Sequence, residues 1–306
     1  FTYQVLEETA RKIGRILQRA GLQKGDRVVL FSENKPEWGM AYLGAASVGV
    51  VVVPLDAQTW HKEVWSVVQF TEARAVLISE YCLSRIATEG LEANERSESP
   101  AQLLNIDQGC EPFDQEEYPL STKPLGDAHL SEVEVGPDDP ASIIFTNSTL
   151  VDPRGAIHTH RNFINNLLGV NYYLPASEDD KLLSVLPLNH ALEFTCGFLM
   201  VLNAGATVTY LNSLKPRAIL GIMKETGATC MLGVPTLYAL IREDTERRLL
   251  RTPKSTLKSN LLVTSKQLSL SVERKPGKKK IGSKFLKTYN FVFEREHRRS
   301  SIIGGI

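Results

Sequence analysis

The sequence predicts an α/β fold of doubly wound, largely parallel sheets flanked by helices. Two observations carry this. Short Val-, Ile- and Leu-rich runs alternate with longer stretches of helical periodicity through residues 1–250, which is the pattern of repeated βαβ units. The short runs are apolar throughout rather than alternating, as at 50–53 and 75–78, and that suits strands covered on both faces.

The elements follow in order. Leu6, Ala10, Ile13, Leu17 and Ala20 recur at helical spacing, so 4–20 is a helix, and Gly21 supplies its stop. Gly25-Asp26 turns into a strand at Arg27–Phe31. Pro36 opens a helix running to Ser47, 50–53 is a buried strand, and helix His61–Phe70 and strand Ala75–Ile78 follow. Trp38 and Tyr42 read as core or pocket wall, and Asp26 as a turn residue. The stretch 107–139 holds ten Asp/Glu against one Lys123, the composition of a solvated acidic surface loop. Further strands are expected at 141–145, 182–186, 206–211 and 229–232, and helices at 191–202, Pro216–Thr226 and 235–242. The helix after His160 carries Phe163, Leu167 and Leu168 on one side.

A chain of 306 residues, 42% hydrophobic, can bury one large domain or two ordinary ones. Its formal net charge is zero, so no global field argues for nucleic acid. Residues 251–306 hold 14 Lys/Arg against 3 Asp/Glu, while 1–250 hold 21 against 32. The basic segment has no clear period. It reads as a solvated face or as a basic face for an anionic membrane surface, and nucleic-acid binding through 254–299 lacks aromatic interleaving. Cys82, Cys110, Cys196 and Cys230 form no C-x-x-C pair, which argues against a zinc site or disulfide framework and for free thiols in a reducing, cytoplasmic compartment. No signal peptide is visible and no apolar run approaches membrane-spanning length. A start at Phe1 rather than Met is expected of a fragment or a processed chain.

The stretch 141–160 organises the chain. An apolar strand, Ala-Ser-Ile-Ile-Phe, leads into Thr146-Asn147-Ser148-Thr149-Leu150-Val151-Asp152-Pro153-Arg154-Gly155, then a short return strand and a helix. One reading is a polar turn punctuated by Asp152-Pro153 and Gly155. The other is a loop presenting backbone N–H groups and hydroxyls to phosphate. Neither G-x-x-x-x-G-K-[ST] nor G-x-G-x-x-G is present in a useful place. His158 and His160 suggest a metal pair or two structural histidines, and no third ligand stands nearby.

This stretch resembles the phosphate loop of the adenylate-forming enzymes, the acyl-CoA synthetases and their relatives, which reads Thr-[Ser/Thr]-Gly-Thr-[Thr/Ser]-Gly-x-Pro-Lys-Gly. Thr146, Thr149, Pro153 and Gly155 are kept; Ser148 and Val151 replace glycines, Arg154 replaces lysine, and Asn147 and Leu150 replace small hydroxyl residues. Lys24-Gly25-Asp26-Arg27-Val28, Asn34-Lys35-Pro36-Glu37-Trp38 and the 186–193 segment Leu-Pro-Leu-Asn-His-Ala-Leu-Glu also resemble family segments, in the family's order. The likeness is to long-chain fatty-acid members and covers nearly all of 1–250.

The resemblance implies an incomplete adenylate-forming large domain: residues 1–250 as a partial adenylation domain with an acidic loop at 107–139, and 251–306 as a basic, poorly patterned segment. It assigns phosphate contacts to Thr146, Asn147, Ser148, Thr149, Arg154 and Gly155, and places His190 and Glu193 by the acyl and nucleotide pocket. ATP, magnesium, coenzyme A and a fatty acid are the implied cofactors and partners, and no catalytic residue or metal ligand is assigned within this chain. The family's Tyr-Gly-x-Thr-Glu segment has no match after residue 260. The expectation is ATP-dependent fatty-acid activation in impaired form, with a non-catalytic remnant or scaffold protein as the alternative. Limited trypsin digestion should clip the chain beyond Lys275, and survival of 276–306 would contradict the reading of that segment.

Overall fold

The structure, a computed structural model, describes residues 1–88, 101–112, 132–145 and 154–251. Thr146, Asn147, Ser148 and Thr149, the middle of the acidic stretch and the basic segment after Arg251 lie outside the described residues. The chain divides into two compact units. One comprises Phe1–Asn166 with Leu186–Leu199, the other Leu167–Val185 with the chain from Met200 onward.

The first unit is built on a seven-stranded sheet of β1 (Arg27–Phe31), β2 (Val51–Leu55), β3 (Ala75–Ile78), β4 (Gln102–Asn105), β5 (Glu111–Pro112), β6 (Pro140–Phe145) and β7 (Gly155–Thr159). The order is β5-β4-β3-β1-β2-β6-β7. Strands β4, β3, β1, β2 and β6 run parallel, as the all-apolar runs predict, and β5 and β7 add antiparallel edges. Among the described residues α1 (Tyr3–Arg19), α2 (Pro36–Ser47), α3 (His61–Phe70) and α4 (Glu80–Thr88) accompany the strands. Val64, Val68 and Leu83 from α3 and α4 join Val29, Phe31, Val53, Val76 and Ile78 of the sheet in one buried cluster.

Helix α1 starts at Thr2, whose side chain accepts from the Val5 N–H, and buries Ala10, Ile13 and Leu17. It crosses α2 where both present glycine. A Cβ on Gly44 would sit 2.7 Å from Ile13 Cγ2 and 2.8 Å from the Ala10 carbonyl oxygen, and one on Gly14 would lie 2.9 Å from Ser47 Oγ.

Both ends of the acidic stretch are fixed rather than merely solvated. Ile106–Gln108 forms a 3₁₀ turn capped by Asn105, and Asp138 and Asp139 each hold a cation.

The second unit carries a three-stranded parallel sheet, β10-β8-β9, made of β8 (Lys181–Ser184), β9 (Thr207–Tyr210) and β10 (Cys230–Met231). Its order is set partly by the turn before β8, where the Thr229 hydroxyl donates to Asp180 at 3.1 Å and accepts from the Lys181 N–H at 2.9 Å. The unit boundary falls inside α5 (His160–Tyr173), and α6 (Met200–Ala204), α7 (Pro216–Thr226) and α8 (Pro235–Arg251) follow.

Three expectations need correction. Leu168 is 59% exposed while Phe163 and Leu167 are buried; five residues of helix turn a side chain about 140° from Phe163, off the buried face. Helix α8 runs to Arg251 rather than 242 because i,i+4 pairs continue it after the apolar pattern stops, Arg242 with Glu246 at 3.0 Å and Asp244 with Arg248 at 2.9 Å. The 191–202 stretch is not a uniform α-helix, for Glu193–Leu199 is π-helical and passes into α6.

The glycine crossing has a measurable consequence. Gly44→Ala forces a methyl against backbone and should cost about 1–3 kcal/mol by overpacking, read as a lower urea midpoint with an unchanged m-value.

Candidate functional site

The β6–β7 hairpin frames the predicted phosphate loop. Phe145 pairs with Gly155, so the two ends of the 146–154 stretch stand side by side at the sheet edge. Gly155 fits only without a side chain, since a Cβ there would meet Ile143 Cγ2 at 2.5 Å. Arg154 is exposed just before it. Ser142 Oγ donates to the Val52 carbonyl at 2.7 Å and ties β6 to β2 in the buried middle of the sheet.

The approach to β6 is held by charge. Lys24 Nζ lies 2.6 Å from Asp139 and donates to the Glu134 carbonyl at 2.9 Å, and Arg161 makes a two-pronged pair with Asp138 at 2.6 and 2.7 Å. The hydrogen bonds from Lys24 and Arg161 hold these carboxyls below the ordinary aspartate value. Burial lowers the pKa of His160 at the start of α5, and nearby Asp139 opposes this. His158, on β7, leans on the Phe163 ring at 5.4 Å. Among the described residues no group of three or more His, Cys, Asp or Glu is placed to hold a metal ion.

A second feature lies at the carboxyl ends of the parallel strands, where open α/β sheets place ligands. Residues 32–35 leave β1 there. Lys35 Nζ meets Asp107 at 2.5 Å and Glu33 at 3.2 Å, and Ser79, just after β3, donates to Glu33 at 2.6 Å. Burial pulls the Lys35 pKa down, but Asp107 and Glu33 outweigh it and raise the value overall. Asn34 turns the other way. Its Nδ2 donates to the Leu186 carbonyl at 2.6 Å, and its Oδ1 accepts from the Leu188 N–H at 2.9 Å.

Leu186 and Leu188 lead into His190 and the π-helical Glu193–Leu199. His190 and Glu193, predicted together, stand in different surroundings. His190 is exposed and its carbonyl accepts from the Phe194 N–H, whereas Glu193 is 0% exposed. The Glu193 carboxyl packs against Gly197, where a Cβ would lie 2.6 Å from Glu193 Cδ. Burial, with the Glu193 charge adding to it, pushes the neighbouring Cys196 thiol up to about 12. The same segment presents Phe194 and Phe198 to α2. Trp38 stacks on Tyr42 at 5.5 Å, Phe194 packs on Tyr42 at 4.5 Å and on Phe163 at 4.9 Å, and Phe198 meets the edge of Trp38 at 6.1 Å. Gly39 admits the Phe198 ring, whose Cε2 lies 2.6 Å from where a Cβ would stand.

This layout can be set beside known proteins. The sequence model of the family described as AMP-binding enzyme matches residues 1–289. The chain belongs to that family, the adenylate-forming enzymes. A crotonobetaine/carnitine–CoA ligase of Proteus sp. (strain LE138) is 30% identical over 71% of this chain and 42% of its own length. A 4-coumarate–CoA ligase of Oryza sativa subsp. japonica is 27% identical over 79% of this chain and 42% of its own. Among solved structures, a benzoate CoA ligase from Burkholderia xenovorans LB400 superposes with a TM-score of 0.65 at 26% identity, over 79% of this chain and 46% of that one. The chain therefore spans less than half the length of the relatives it matches. It is an acyl/aryl-CoA ligase-like member, and the match corresponds to their N-terminal portion.

Asn34 and the π turn escaped the sequence reading. Asn34 lies in a segment that resembles the family, yet nothing local says that its amide reaches backbone 152 residues away. The only local hint of the π turn is Gly197, four residues after Glu193. Gly197→Ala should be destabilising by about 2 kcal/mol or more, since its methyl must displace a buried carboxyl. Thermal melts should show this, and Gly197→Ala combined with Glu193→Ala should recover part of the loss.

Proposed function

We propose that this chain is the N-terminal adenylation portion of an acyl-CoA ligase whose ancestral reaction activates a long-chain fatty acid, and that the chain by itself is impaired in that reaction. The observation that carries the reading is the Phe145–Gly155 pairing of β6 with β7 at the edge of the sheet, inside a family match that runs over residues 1–289. The preference for a fatty acid rests on the resemblance of residues 249–254 to the basic segment of long-chain members. The proposed location is cytoplasmic, in keeping with the free cysteines among the described residues, and any membrane contact would fall to the basic segment. No described helix is long and apolar enough to cross a membrane.

In the family reaction a carboxylate oxygen attacks the α-phosphorus of ATP and pyrophosphate leaves. The thiol of coenzyme A then attacks the acyl-adenylate carbonyl and AMP leaves. Charge develops on phosphate oxygens, so rate depends on positioned N–H donors and cations. In this chain Arg154 brings a cation to the end of the loop, but as a fork on a bulkier side chain than lysine. Ser148 and Val151 stand where the family places glycines, which removes the freedom to adopt positive φ and the close backbone approach. Magnesium is implied by the family.

The loop departures also favour the second reading, a binding or scaffold role without turnover. The deciding measurement is pyrophosphate exchange with ATP, magnesium and palmitate, with 4-coumarate and crotonobetaine alongside because the named relatives are ligases of those acids. No exchange is expected from the chain alone. Ser148→Gly, Val151→Gly and Arg154→Lys together should not rescue exchange but should add a small ATP-dependent thermal shift. Each 1.36 kcal/mol of transition-state stabilisation is about tenfold in rate, so robust exchange by the unmodified chain would overturn the impaired state.

A further inference from the structure

The loop after β1 is anchored on one side and reaches out on the other. Ser79 after β3 donates to Glu33 at 2.6 Å, Asp107 after β4 pairs with Lys35 at 2.5 Å, and Lys35 and Glu33 meet each other at 3.2 Å. Asp107 is itself fixed, accepting from the Glu80 N–H at 2.8 Å. Asn34 stands between these anchors, 8% exposed. Its amide uses both ends on one stretch of backbone, donating to Leu186 and accepting from Leu188. A carboxamide placed in this way sets both the height and the direction of the segment it holds, because a carbonyl and an N–H two residues apart must face it together. Two residues beyond Leu188 comes His190, and then the π-helical segment that seats Glu193 and presents Phe194 and Phe198 to Trp38 and Tyr42.

We infer that Asn34 is a positioning residue for the acyl pocket: through Leu186 and Leu188 it fixes the π segment whose aromatic side chains form that pocket's wall. Removing the amide leaves one buried acceptor and one buried donor unmet, and the backbone relaxes to find other partners. The ligand part of this inference rests on the acyl-activating reading above; the structural part does not.

The test compares wild type with Asn34→Leu and Asn34→Asp. The Leu variant keeps the volume and loses both hydrogen bonds. The Asp variant is the informative one. Protonated, its carboxyl donates to Leu186 and accepts from Leu188 as the amide does; ionised, it only accepts and faces the Leu186 carbonyl unfavourably. Burial places its titration above the ordinary aspartate range. Glu33 and Lys35 on the same loop, and His190 and Glu193 on the facing segment, are present in all three proteins, so wild type at each pH removes their contribution.

Two quantities are read at pH 5.5 and 8: hydrogen exchange of the Leu188 amide and the affinity for palmitate. Asn34→Leu should speed exchange and weaken palmitate binding at least tenfold at both pH values. Asn34→Asp should match Asn34→Leu at pH 8 and return to within about threefold of wild type at pH 5.5. Exchange and affinity within twofold of wild type in Asn34→Leu, or an Asn34→Asp protein without this pH dependence, overturns the inference. If Asn34→Leu does not fold, the pH response of Asn34→Asp decides alone. If wild type itself binds no palmitate, the acyl-pocket reading fails, and Leu188 exchange decides whether Asn34 fixes the segment.

Discussion

The Asn34 carboxamide ties the loop after β1 to the backbone that leads into the 186–193 segment. Asn34 follows β1, and the backbone it holds lies 152 residues later. Short parallel strands such as β1 and β3 end in loops with few constraints of their own. Here the loop is locked by the Glu33–Lys35–Asp107 ion pairs, which are partly buried and so less screened by solvent than surface pairs. The direction of the 186–193 segment depends on that loop, and the seating of the buried glutamate and aromatic wall depends on the segment.

The π turn shows how packing overrides helical preference. An α-helix through 193–199 would change which side chains face α2. The π geometry places Phe194 and Phe198 together on Trp38 and Tyr42, and lets the Glu193 carboxyl occupy the space left by Gly197. Such turns are less favourable than α-helix and occur often at functional sites. Aromatic pairs contribute about 0.5–1.5 kcal/mol each beyond their burial, and four such rings together are enough to hold one wide turn.

The phosphate-loop frame is simpler in its physics. Strand β6 is buried at Ala141 and Ser142 and tied to β2 by the Ser142 hydroxyl, while β7 is the edge strand beside β6 among the described residues. Gly155 lets β7 close against Ile143 of β6. The same frame fits the family match and the likeness to the benzoate CoA ligase, whereas the substitutions at 148, 151 and 154 are properties of this chain's own sequence.

Much of the fold was legible in the sequence. Strands such as Arg27–Phe31 and Ala75–Ile78, and helices such as Pro36–Ser47 and His61–Phe70, follow from local apolar periodicity, a helix-opening proline and turn glycines, and these act within a few residues. The phosphate-loop stretch and the family were legible for the same reason, since their residues are consecutive. The sequence by itself therefore determined the α/β class, the succession of elements and the family. The tertiary structure decided what depends on partners far along the chain: that Asn34 reaches Leu186 and Leu188, that Glu193 is buried while His190 faces solvent, that Leu168 falls off the buried face, and that residues 193–199 wind as a π-helix. Those outcomes come from competition between distant side chains for one packed space, and no local pattern of residue types encodes which of them wins.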